Sequence, residues 1–131
     1  MNPKTAIAPV SFFLAGKVTP KARPHFNLGQ AYLPQTYREW KKDAILELQC
    51  QMGSHAAFPL SKANAELLLT GKHRGDLDNL AGSILDALVQ SGAIEDDSLK
   101  CVSRLLVSHD PTTKQTGTQI ILCAPKEERR D

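Results

Sequence analysis

Between Asn64 and Ser91 the hydrophobic repeat of the chain changes, and that change constrains the fold more than any other feature. Ala65, Leu67 and Leu69 alternate with Asn64, Glu66 and Thr70, the two-residue repeat of a half-buried strand. Beyond the basic stretch Lys72 to Arg74, Leu80, Ile84, Leu85 and Leu88 recur every three or four residues and so share one helical face. Asp78 is placed to cap that helix and Gly92 to stop it.

The same reading extends along the chain. Pro9 to Ala15 is an apolar run ended by Gly16, too short for a helix and suited to a strand. Prolines and glycines break all periodicity from Gly16 to Pro34, which predicts a surface loop. Thr36 and Glu39 have capping-box spacing, and Tyr37, Trp40, Ala44, Ile45, Leu48 and Met52 form an apolar stripe that Gly53 ends. Cys101 to Ser108 and Thr118 to Ala124 suit two strands, and the polar segment between them, with Asp110, Pro111 and Gly117, predicts a hairpin. Residues 125–131 read as a frayed tail. The order predicts an α+β fold, two helices packed on a mixed, largely antiparallel sheet, as a single domain over the 131 residues.

Composition excludes several classes. Sixteen basic residues against 14 acidic ones leave +2, too balanced for nucleic-acid binding driven by overall charge, so DNA contact requires local patches. Such patches occur at Lys17, Lys21, Arg23 and His25 and at Lys72, His73 and Arg74. His25 and His73 read as solvated surface residues able to touch phosphate. Cys50, Cys101 and Cys123 are odd in number and widely spaced, which predicts buried thiols rather than disulfides or a zinc ribbon. No two histidines stand at the i, i+4 spacing of a zinc enzyme. Thr70-Gly71-Lys72 lacks the first glycine of a phosphate loop, so no nucleotide cofactor is expected. No apolar run approaches a membrane span and residues 1–15 do not read as a signal peptide, so no membrane partner and a cytoplasmic location are expected.

Asp76-Leu77-Asp78-Asn79 precedes the second helix and Glu95-Asp96-Asp97 follows it. In an extended turn, residues two apart face the same way, so Asp76 and Asp78 can aim at one point while Leu77 anchors in the core. Asp97 joins them only if the chain after Gly92 folds back or its strand starts beside Asp76, because the helix between rises about 21 Å. Three clustered carboxylates repel one another unless a cation neutralises them, and all-oxygen ligands favour magnesium or manganese. Such an ion activates water for phosphodiester hydrolysis. Each piece has a plainer reading too: Asp78 as an ordinary cap, Asp96 and Asp97 as loop residues, Asp86 as a solvent-facing helix residue.

Asp76-Leu77-Asp78-Asn79-Leu80, then Leu85-Asp86-Ala87-Leu88, then Gly92-Ala93-Ile94-Glu95-Asp96-Asp97 resembles the RusA family of Holliday-junction resolvases in order and spacing. Gly16-Lys17 with Pro20-Lys21-Ala22-Arg23-Pro24 is similar to the family's proline-rich basic loop. The resemblance implies a homodimeric endodeoxyribonuclease that binds four-way or branched DNA and makes paired cuts with Mg2+ or Mn2+. It implies that Asp76, Asp78 and Asp97 are the catalytic, metal-binding carboxylates. Lys17, Lys21, Arg23, Lys72, Arg74 and Lys100 are the DNA-binding candidates. The chain departs from the family pattern at Gly82, where many members carry lysine, and at Gly75, where a basic residue is common. Lys72, Arg74 and Lys100 are candidate substitutes, and the alternative is a branched-DNA-binding protein with weakened or lost cleavage.

Overall fold

A computed structural model describes residues 9–21, 25–27, 30–32, 34–54 and 57–125. The chain forms β1 (Val10–Ala15), β2 (His25–Asn27), β3 (Gln30–Tyr32), α1 (Gln35–Met52), β4 (Ala63–Thr70), α2 (Leu77–Ser91), β5 (Val102–Asp110) and β6 (Gly117–Cys123). The main sheet has the order β1-β6-β4-β5, and β2 and β3 pair separately in the segment expected to be loop alone.

Strand β6 is antiparallel to both β1 and β4, while β4 and β5 run parallel. The α+β class and the mixed, largely antiparallel sheet are therefore as expected. The hairpin is not: β5 and β6 are consecutive, yet β4 lies between them. Local turn residues reported a reversal correctly, but Leu67 and Leu69 are the more apolar partners, and their strand takes the centre of the sheet.

Alternation along β4 buries Ala63, Ala65, Leu67 and Leu69 on one face. That face meets Leu48 of α1 and Leu80, Ile84 and Leu88 of α2 in one core. Each fully buried leucine or isoleucine there contributes about 2 kcal/mol by leaving water. Helix α2 ends as expected, with Gly92 in the left-handed conformation and its N–H bonded to Leu88 and Val89 carbonyls.

The helix starts differ from expectation. Pro34, not Thr36, is the N-cap of α1, no side chain caps it, and Glu39 instead accepts from the Gln35 side-chain amide at 2.8 Å. Proline fixes the backbone angle the entry needs, so the hydroxyl is not required. The cysteines also divide: Cys101 is buried, Cys123 half-buried and Cys50 exposed on the polar side of α1. The tail from residue 126 lies outside the described residues. Among the described residues no helix is long and apolar enough to cross a membrane.

Candidate functional site

Strand β4, helix α2 and strand β5 form a parallel crossover, so successive turns lie at opposite ends of the sheet. Residues 71–76 leave the C-terminal end of β4 and enter α2, whereas residues 92–101 return from α2 to the start of β5. At that second turn Glu95 N–H bonds to the Leu60 carbonyl, and Ser98 accepts from Cys101 and Val102. Asp97 is thereby tied to the start of β4 and β5, and Asp76 and Asp78 to the far end of a helix about 22 Å long. Neither condition for closing three carboxylates within one chain is met. Among the described residues, no group of three or more His, Cys, Asp or Glu is arranged to hold a metal ion.

Asp76 is the N-cap of α2, with extended backbone, and Asp78 lies in the first helical turn, so helix rather than an extended turn orients the pair. Leu77 between them is 41% exposed instead of anchored in the core. Neither carboxylate caps an N–H, and neither makes a hydrogen bond or ion pair with a described residue. The positive end of the helix stabilises both carboxylates, and their oxygens are of the ligand type that hard cations prefer.

Beside them, at the same sheet end, Lys17, Gly71, Lys72, His73, Arg74, His109 and Pro111 line a cleft of about 370 Å3. Lys17, Lys72 and Arg74 thus converge there. Lys100 does not: it precedes β5, at the Asp97 end. Lys21 lies against α2, and Arg23 is outside the described residues.

His73 is not a solvated phosphate contact. Its Nδ1 accepts from Val18 N–H at 3.3 Å, which leaves Nε2–H to donate to the Thr70 and Gly117 carbonyls at 3.0 and 3.1 Å. The ring ties the Lys17 segment to the ends of β4 and β6. The His109 and His73 rings stand nearly perpendicular, with ring centres 5.8 Å apart, and His109 Nε2 donates to the Gly71 carbonyl at 2.8 Å. Only the register that sets Leu69 opposite His109 brings these residues together, so no spacing in the sequence could reveal them.

Asp86 was expected to face solvent. It is half-buried, accepts from Tyr37 Oη at 2.8 Å and pairs with Lys41 Nζ at 3.3 Å, the one ion pair among the described residues. Burial alone would raise its pKa, but the Tyr37 hydroxyl and the Lys41 ammonium outweigh that and hold the carboxyl below the usual range. Burial, and then the carboxylate itself, push the Tyr37 phenol well above its ordinary value. Removing the carboxylate leaves a buried hydroxyl short of an acceptor, so Asp86→Ala should cost about 2 kcal/mol in urea unfolding at neutral pH. Because the folded pKa is the lower one, that contribution is full above the unfolded carboxylate pKa and is lost as pH falls through the folded value. The gap between wild type and variant should close below about pH 4.

A family model of endodeoxyribonuclease RusA matches residues 15–122, which span all of these features. The chain belongs to the RusA endodeoxyribonuclease family. It is 25% identical over 92 residues to a crossover junction endodeoxyribonuclease RusA of Aquifex aeolicus (strain VF5), covering 69% of this chain and 73% of that protein.

Proposed function

We propose that this chain is a divalent-metal-dependent endonuclease that resolves four-way DNA junctions as a homodimer. The observation that carries the reading is the pair Asp76 and Asp78, free carboxylates at the N-terminus of α2, beside a cleft that gathers Lys17, Lys72 and Arg74. The crossover-junction activity named for the Aquifex aeolicus relative suggests the branched substrate.

Asp97 enters this reading from a second copy. Strand β5 is an edge strand, and with Leu105 and Leu106 41% and 51% exposed it presents unpaired backbone and apolar surface together. Leu77, Ala81, Leu85, Leu105, Leu106 and Val107 line a groove of about 680 Å3 between α2 and this edge. A two-fold interface sets two β5 edges antiparallel, so the start of one strand lies beside the end of the other. Asp97 of the partner subunit then approaches Asp76 and Asp78, from which the fold of a single chain holds its own Asp97 a helix length away.

A magnesium or manganese ion held by these three carboxylates would supply an activated water and neutralise charge on the phosphodiester. Lys17, Lys72 and Arg74 hold neighbouring phosphates, and the ties from His73 keep Lys17 in place. Purified protein with a labelled synthetic four-way junction in magnesium, manganese or chelator tests the reading. Paired cuts on the junction and not on linear duplex are expected, with metal only. A junction bound tightly but left uncut would identify instead a branched-DNA-binding protein.

A further inference from the structure

Residues 16–21 form a strap across the first turns of α2, held at Gly16, Val18, Thr19 and Pro20. Gly16 N–H bonds to the Thr116 carbonyl, Val18 is buried and held by His73, and the Thr19 carbonyl accepts from Ser83 Oγ at 2.7 Å. Pro20 packs so closely on Gly75 that a β-carbon there would meet its ring at 3.1 Å. The next side chain, Lys21, then crosses Gly82, where its Cδ lies 3.5 Å from the position of a β-carbon. Asp78, Gly82 and Asp86 stand four residues apart and share one stripe of α2. Lys21 therefore lies on the stripe that begins with a candidate metal ligand.

Asp86 is already engaged by Tyr37 and Lys41, and Lys21 is exposed and makes no ion pair with a described residue. Its charge reaches Asp86, one turn beyond Gly82, where it adds to the Tyr37 and Lys41 effects that hold that carboxyl below the usual range. The lysines and arginine of the cleft stand at the β4 end of the turn that enters α2, whereas Lys21 lies on the flank of the helix at Gly82.

We propose that Lys21, carried over Gly82 by the pinned strap, is the cation that faces the reacting phosphate from the α2 side. The inference rests on the nuclease reading. In that hydrolysis a water oxygen bonds to phosphorus, the bond to one deoxyribose oxygen breaks, and the water's proton ends on that oxygen. Lys21 keeps its own proton and stabilises the charge that develops.

The test compares single-turnover cleavage of a bound four-way junction by wild type, Lys21→Met, Lys21→Ala and the double variant Lys21→Ala with Gly82→Lys. Junction affinity in chelator and thermal unfolding are measured for each. Methionine keeps an apolar stem over Gly82 and removes only the charge, so unfolding should be unchanged. The rate should fall about 100-fold, as when one charge-stabilising donor is lost. Affinity in chelator should drop far less, by no more than the single phosphate contact removed. The double variant returns the charge from the helix itself and should exceed Lys21→Ala by at least about tenfold. A wild-type rate for Lys21→Met, a loss of rate no larger than the loss of affinity, or no gain in the double variant would each overturn the role of Lys21 while leaving the nuclease intact. A wild type that cleaves no junction in either metal would overturn the parent reading, and this inference with it.

Discussion

Coexpressed Asp78→Asn and Asp97→Asn chains should regain cleavage that neither variant has alone. Each substitution keeps the side chain's shape and removes one charged ligand, so each homodimer has two damaged sites and its cleavage should fall at least about 100-fold. In a mixed dimer built as proposed, one site combines both defects. The other combines intact Asp76 and Asp78 of the Asp97→Asn chain with intact Asp97 of the Asp78→Asn chain. Random pairing makes half the dimers mixed, so about a quarter of all sites should be sound. Junctions should then be nicked on one strand more often than cut in pairs. Titration calorimetry of the mixture with manganese should show the same fraction of strong sites. If subunits exchange, shown by copurification through two tags, and no cleavage returns, Asp97 does not act across a dimer. The topology is what makes the outcome sharp: a site closed within one chain would leave every chain of the mixture defective.

Gly71→Ala should be the most destabilising single-methyl substitution at the turn that carries the carboxylates. Gly71 has φ of +79°, and a β-carbon would fall 2.5 Å from Thr116 Oγ1, 2.6 Å from Thr116 Cα and 3.0 Å from the Gln115 carbonyl oxygen. The hydroxyl could rotate away, but the backbone atoms cannot yield without moving the turn into β6. That turn is in register with β4, where Thr70 pairs with Gly117. The left-handed conformation costs an alanine about 1 kcal/mol and the overlap about 1–3 kcal/mol more. The urea midpoint should fall by the equivalent of about 3 kcal/mol, a large share of the 5–15 kcal/mol a domain of this size has. Gly71 also donates its N–H to the Asp110 carbonyl and offers its own carbonyl to His109. Junction affinity should therefore weaken even where the variant remains folded, because Lys72 and Arg74 follow this turn. A midpoint within experimental error of wild type would show that the β4–β6 connection has slack.

Much of this fold is legible in the sequence. The shift from a two-residue to a three-to-four-residue repeat located β4 and α2, since apolar periodicity is the direct imprint of one buried face. Gly53 and Gly92 marked the helix ends because each takes a positive φ there that other residues resist. The ordered carboxylate blocks carried the family resemblance. What local pattern could not decide was partnership. Whether β5 pairs with β6 or β4 depends on which strand buries more surface at the sheet centre, a comparison among segments far apart in the chain. Asp86 looked like a solvated helix residue because its partners, Tyr37 and Lys41, come from another helix. Lys21 and Gly82 are 61 positions apart, and nothing but the strap's course brings them into contact. Sequence alone supplied the carboxylates and cations that are the candidates for metal and phosphate. The tertiary structure decided that Asp97 stands a helix length from Asp76 and Asp78, because a parallel crossover sends consecutive turns to opposite ends of the sheet.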